Sequence, residues 1–273
     1  MYRRGSGRTV LFFGVYVDDL IITAAREEEV ETFKAQMKQT FDMSDLDPLS
    51  FYLGIEVRQD ATRITLWQTQ YAKWILELGG MDGCNPAHTP MDERLRLSRH
   101  NNAADVDPTH YRRLIGSLRY LVHTRPDLAF AVGYVSRFME RPMVEHQGAV
   151  KRIPRYIADT LDFGLHFTKA SGSACFIGYT DNHLAGDVDT SKSMSELLFF
   201  LGNCLVSWHS IKQKVVALSS CEAEYIAAST AATQALWLLR LLAELLGRHV
   251  EVVELKVDSK SALALAKNPV FHE

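Results

Sequence analysis

"SSCEAEYIAASTAATQALWLLRLLAELLG", residues 219–247, is the stretch on which the fold class turns. It runs too long without Gly or Pro to be a strand, and its alanines and leucines are strong helix formers. It therefore predicts one long helix closed by Gly247. Ser219 and Glu222 stand at S-x-x-E spacing, a capping box in which Glu222 reaches back to the N-cap amide. Glu224 follows two residues later, about 200° around the helix, so it cannot share that side. Glu224 is the free acid.

Outward from this helix, "CFIGYTD" (175–181), "ELLFFLG" (196–202) and "CLVSWHS" (204–210) read as three successive strands. "VEVVELKVD" (250–258) reads as a further strand and "SKSALALAKN" (259–268) as the start of another helix. Three strands, a helix, a strand and a helix predict an α/β layer fold. Asp181 and Asp258 each end a strand, the place where α/β sheets build sites. If Glu224 joined them, three carboxylates would repel one another unless divalent cations sat among them. Hard oxygen ligands suit Mg2+ or Mn2+, and two such ions about 4 Å apart activate a water in phosphodiester cleavage. Three unrelated surface acids is the other reading, and spacing leaves both open.

Upstream, residues 111–142 and 144–159 read as helices, the first pair broken around Pro126 and the next kinked or broken at Pro154. This region is locally basic: Arg112, Arg113, Arg119, Arg137, Lys151, Arg152 and Arg155 outnumber its acids, and aromatics alternate with them. A surface that tracks a phosphate backbone needs that mixture. The solvated face of ordinary helices provides it too. Residues 85–108, "NPAHTPMDERLRLSRHNNAADVDP", are rich in Pro, Asn, Asp and Arg and read as a linker.

At the N-terminus, "VLFFGVYV" (10–17) and "LIITA" (20–24) flank Asp18 and Asp19, which predicts a β-hairpin with both aspartates at its tip. A rigid acidic tip can hold a cation that a third carboxylate completes, whereas Asp is also common in plain turns. A helix over 26–41, strands at 50–57 and 62–70, and a helix over 71–80 follow. The basic start and short apolar run have the outline of a secretory signal, but the run ends in Asp18-Asp19, so it reads as a buried strand.

The 273 residues are 47% hydrophobic and 23% charged, the balance of a water-soluble globular chain, and the net charge of −3 excludes a global basic signature. No run approaches the ~18 uninterrupted apolar residues of a membrane span. Cys84, Cys175, Cys204 and Cys221 show no CxxC pairing and read as reduced thiols.

"YVDDL" within "FGVYVDDLIIT" (13–23), followed by "SFYLGIEV" (50–57) and "ITLWQTQYAKWIL" (64–76), resembles the catalytic hairpin region of Ty1/copia-type retrotransposon reverse transcriptases. "GSLRYLVHTRPDLAFAV" (116–132), "LVSWHSIKQKVVALSSCEAEYIAAS" (205–229) and "DSKSALALAKNPVFHE" (258–273) resemble the connection and ribonuclease H regions of the same polyprotein. The resemblance implies an α/β (α+β) chain: a partial palm/thumb over 1–84, a linker over 85–108, basic connection helices over 109–170 and a ribonuclease H-like domain with a mixed sheet over 171–273. It implies Asp18 and Asp19 as polymerase metal ligands, and Asp181, Glu224 and Asp258 as ribonuclease H metal ligands. Two Mg2+ or Mn2+ per intact site, an RNA–DNA hybrid as partner and a cytoplasmic location are implied with them.

Departures temper that expectation. The family's third polymerase aspartate would precede the hairpin, and a fourth ribonuclease H aspartate would follow "NPVFHE". His183 stands where a second aspartate is usual, and Ser195-Glu196 where the family has a Ser-Gly step. The chain thus reads as a fragment open at both ends, polymerase-dead and at best weakly ribonucleolytic. The alternatives are an inactive nucleic-acid-binding remnant or a relic.

Overall fold

Apolar residues recurring through the first two dozen positions form three antiparallel strands in the computed structural model, which describes residues 1–169, 175–248, 250 and 253–268. They are β1 (Tyr2–Arg4), β2 (Leu11–Tyr16) and β3 (Asp19–Ala24), in the order β1-β2-β3. Helix α1 (Glu27–Thr40) covers them. Phe13 stacks between Tyr2 and Phe33, with ring centroids 5.2 Å from each. Only Leu11 of β2 is buried, so the segment read as a buried strand is a strand that stays half exposed. Residues 1–49 form one compact unit together with 238–251, and the remaining residues form the second.

The second unit begins with β4 (Phe51–Tyr52), β5 (Ile55–Gln59) and β6 (Arg63–Trp67). The stretch read as one strand over 50–57 is two, because Leu53 (φ 49°) and Gly54 (φ 77°) turn the chain back on itself. Helix α2 (Thr69–Leu78) packs with α3 (Pro108–Leu121), α4 (Ala129–Val135) and α5 (Val144–Ala158). Ile75, Ile115, Leu118, Val135, Ile153 and Ile157 are fully buried at their centre. Asp107 caps α3 by accepting from the Thr109 and His110 amides at 2.9 and 3.3 Å, and Pro108 follows at the first helical position, where it needs no partner.

Helix α5 runs through Pro154 without a break, so of the kink or break expected from the sequence the break does not occur. The proline removes one helical hydrogen bond, a penalty of roughly 3 kcal/mol. Burial of Val150, Ile153, Pro154 and Ile157 along that face offsets it. Residues 85–108 are not free: Ala87 N–H donates to Arg155 O at 3.1 Å, Leu97 is buried, and Asp105 bridges to Met143.

Strand β7 (Leu165–Thr168) closes the order β4-β5-β6-β7, pairing with β6 from about a hundred residues away. The last sheet has the order β10-β9-β8-β11, from β8 (Phe176–His183), β9 (Met194–Leu201), β10 (Cys204–Lys212) and β11 (Val253–Val257). Strands β8, β9 and β10 are antiparallel, and β11 lies parallel to β8. Helix α6 (Ser220–Leu246) precedes β11 and α7 (Lys260–Lys267) follows it. By length and composition α6 could cross a bilayer, which the search for uninterrupted apolar runs overlooked. Its Ala223, Ala227 and Ala231 are nevertheless fully buried, and Gln234 Nε2 donates to Ser207 Oγ at 3.2 Å, so this part of the helix packs on the sheet. The whole is a mixed α/β chain with several sheets. All four cysteines are free. Parts of the quoted sequence, 170–174, 251–252 and 269–273, lie outside the described residues.

Candidate metal centre

Parallel pairing makes the site. Val257 stands opposite Thr180, so the next residues, Asp258 and Asp181, emerge side by side where the pairing of β11 with β8 stops. Strand β8 itself continues to His183 in its pairing with β9, so Asp181, read from the sequence as the end of a strand, lies within one. The first turns of α6 bring Glu224 to them, and one carboxylate oxygen from each of the three lies within 4.8 Å of the others. Asp181 and Asp258 are exposed, and Glu224 is 7% exposed.

Glu222 is spent on the helix start. Its amide donates to Ser219 Oγ at 3.1 Å, and its Oε2 accepts from Leu218 N–H at 2.7 Å, one residue before the N-cap amide that the capping box predicts. Glu224 is left to face the sheet. Its Oε2 is buried without a hydrogen-bond partner. Burial raises its pKa, the Asp258 and Asp181 charges raise it further, and a hydrogen bond from the Asn182 side chain opposes them. Asn182 N–H also donates to Asp181 Oδ1 at 2.7 Å, which orients that carboxylate.

A buried, unpartnered carboxylate oxygen beside two more carboxylates is an arrangement that a divalent cation would satisfy. The donor set is all oxygen, which fits Mg2+ or Mn2+ and disfavours softer metals. The residues present therefore fit the ion, and Asp181, Glu224 and Asp258 would hold it.

A fourth acid stands beside them. Glu196 on β9 is the direct cross-strand partner of Asp181. Burial pushes its pKa up to about 7, with the Asp181 charge adding to the rise, while a hydrogen bond from Ser210 Oγ at 2.8 Å pulls the other way. Sequence reading noted Glu196 only as a departure. The signal that would have found it was strand register, since a two-residue hairpin turn (Gly202 and Asn203) sets β9 against β10 but does not fix β9 against β8.

The other candidates have different surroundings. In the N-terminal hairpin the turn is Val17-Asp18, because Tyr16 pairs with Asp19 and Asp19 already belongs to β3. Both aspartates are exposed, and no third acid joins them in a cluster among the described residues. Val17 has φ 52°, a left-handed conformation that a β-branched residue adopts only under strain.

Four of the basic candidates are engaged in the fold. Arg112 donates to the Met139 and Glu140 carbonyls at 2.8 and 3.2 Å, Arg155 to Asn85 O at 2.8 Å, and Arg152 to Thr89 O at 3.1 Å and Asp92 at 3.4 Å. Arg137 pairs with buried Asp187 at 3.5 Å, which Lys212 also contacts. Arg113, Arg119 and Lys151 are exposed, and among the described residues they have no ion-pair or hydrogen-bond partner.

Comparison with known proteins bears on the whole chain. Residues 1–93 match the family model of reverse transcriptase (RNA-dependent DNA polymerase). The retrovirus-related Pol polyprotein from transposon TNT 1-94 of Nicotiana tabacum is 38% identical over 99% of this chain and 21% of the polyprotein. The corresponding polyprotein from transposon RE1 of Arabidopsis thaliana is 36% identical over 97% of this chain and 18% of its own length. The uncharacterized mitochondrial protein AtMg00810 of the same plant is 34% identical over 83% of this chain and 94% of its own length. The chain thus spans about a fifth of the length of the polyproteins it matches.

Proposed function

The chain belongs to the Pol family of Ty1/copia-type retrotransposons, and from that premise we propose that its C-terminal part is a ribonuclease H-type site acting on the RNA strand of RNA–DNA hybrids. The observation that carries this reading is the buried, unpartnered Glu224 Oε2 between Asp181 and Asp258. Bound there, Mg2+ or Mn2+ would supply water activation and charge stabilisation at the scissile phosphate. The chain's own contribution is to position the ligands. Asn182 orients Asp181 through its amide and Glu224 through its side chain. The Ser219–Glu222 cap holds the first turn of α6 in place. Without a cation Glu224 holds a proton more readily than an ordinary glutamate, because burial and the neighbouring Asp258 and Asp181 charges raise its pKa.

The proposed domain order is a palm/thumb portion over 1–84, a connecting segment over 85–108, helices over 109–170 and the ribonuclease H-like portion over 171–273. Asp18 and Asp19 are proposed as two polymerase metal ligands. The proposed setting is the cytoplasm, where hybrids form during replication of such elements. A second reading, nucleic-acid binding without turnover, draws support from the unengaged Arg113, Arg119 and Lys151. It requires affinity that falls steeply with salt and ignores Mg2+.

The deciding experiment is cleavage of a labelled RNA–DNA hybrid by the purified chain in Mg2+ or Mn2+, beside Asp181→Asn. The expected result is cleavage that drops at least 100-fold in the variant. A soluble protein that cuts no better than Asp181→Asn overturns the nuclease reading.

A further inference from the structure

A cavity of ≈ 800 Å3 lies between residues 90–96, helix α4 and the turn after β8. Its volume falls within the roughly 300–1,000 Å3 typical of small-molecule sites. Buried leucines anchor its first wall. Leu97 is 4% exposed and its N–H donates to Tyr134 Oη at 3.1 Å, while Leu95 packs on the helical core. Arg94 stands in the turn that Leu95 N–H closes by donating to Asp92 O at 3.2 Å, and Arg96 lies between the two leucines. Both line the cavity, both are exposed, and neither has an ion-pair or hydrogen-bond partner among the described residues.

The aromatic wall is Phe130 with Tyr134, ring centroids 6.0 Å apart on α4. The opposite wall includes His183, which shares a strand face with Asp181, roughly 7 Å farther along β8. Two of the three acids that line the cavity are already neutralised: Asp92 pairs with Arg152 at 3.4 Å and Asp127 with Arg125 at 2.7 Å. Glu93 is the third and is exposed. Two free guanidinium groups thus line one cavity with an aromatic face and with His183, which stands two residues along β8 from Asp181.

We propose that this cavity is a subsite for one nucleotide of the strand held at the Asp181 cluster. Arg94 and Arg96 take its phosphate and the Phe130 face takes its base. Guanidinium groups match phosphate oxygens in a planar fork, and every base offers a π-face, so the subsite would be tolerant of sequence. The inference rests on the nuclease reading for the identity of the neighbouring site, and its test is run without metal so that the two fail separately.

The test is fluorescence anisotropy of a labelled 12-nucleotide single strand, and of the matching RNA–DNA hybrid, with the full chain in EDTA across a salt series. Arg94→Ala with Arg96→Ala is expected to weaken binding of both probes at least tenfold and to flatten the log–log salt slope by about one unit. Phe130→Leu is expected to weaken binding several-fold with the slope unchanged. Unchanged affinity in the double variant overturns the subsite. Displacement of the probe by polyglutamate as readily as by an oligonucleotide of equal charge also overturns it, and would make the cavity a site for acidic peptides. Binding that depends on Arg94 and Arg96 in a protein that cuts nothing in Mg2+ would support the subsite while sinking the nuclease reading.

Discussion

Asp18 and Asp19 are sequence neighbours exposed at a hairpin turn, whereas Asp181, Glu224 and Asp258 come from three distant elements and meet within 4.8 Å. The nearer pair in sequence is the less organised in space. Asp18 lies in the turn and Asp19 begins β3, both exposed to solvent, so adjacency alone does not make a shared cation site. The point where β11 stops pairing with β8, with a helix start laid across it, brings the carboxylates together and buries one of them. Convergence therefore comes from the topology of β8, β11 and α6, while the hairpin brings no third acid to Asp18 and Asp19 among the described residues.

The sharpest way to break this contrast is to neutralise each set in turn. Glu224→Gln is expected to abolish Mg2+-dependent hybrid cleavage, a loss of at least 100-fold, while Asp18→Asn with Asp19→Asn leaves it within twofold. Equal losses in both variants would show that the two regions are not independent for this activity.

A smaller effect is expected from Glu196, the acid opposite Asp181. Its pKa is raised to about 7 in the fold, so the folded state holds that proton more tightly than the unfolded chain does. Its favourable contribution is complete below the unfolded carboxylate value and is lost as pH rises through about 7. Urea titrations of Glu196→Gln should show a flatter stability profile between about pH 4.5 and 7.5, with a gain on the order of 3 kcal/mol at the alkaline end. A profile parallel to that of the unsubstituted protein would remove Glu196 from this account.

The smallest effect is expected at Val17. Glycine adopts φ 52° freely, so Val17→Gly relieves strain of about 1–2 kcal/mol but adds roughly 0.5–1 kcal/mol of backbone entropy to the unfolded chain. A net gain of less than about 1 kcal/mol should follow, read by slower amide exchange in β2 and β3. Faster exchange would mean that the valine side chain itself holds the turn.

Much of the carboxylate cluster was legible in advance, because its signals are local. An apolar strand run leads to Asp181, another to Asp258, and the Ser219–Glu222 spacing separates the capping acid from Glu224, although β8 continues two residues past Asp181. The elements on either side were legible for the same reason, since apolar periodicity and caps act over a few residues. What the chain hid lies in long-range pairing. Nothing near residues 165–168 says that they join β6, and nothing near Arg112, Arg152 or Arg155 says that carbonyls of other segments engage their guanidinium groups. A basic, aromatic-rich helix looks the same whether its charges face a phosphate or a neighbouring loop.

The sequence by itself determined where most strands and helices run, that Asp258 follows the end of a strand, and which glutamate is free of the cap. These follow from propensity, periodicity and hydrogen bonds between near neighbours. Tertiary structure alone decided that β11 lies beside β8, that Glu196 faces Asp181, that α5 continues through Pro154, and which arginines remain unengaged. Each depends on register or packing between residues far apart in the chain, where a shift of one position sends a side chain to the opposite face.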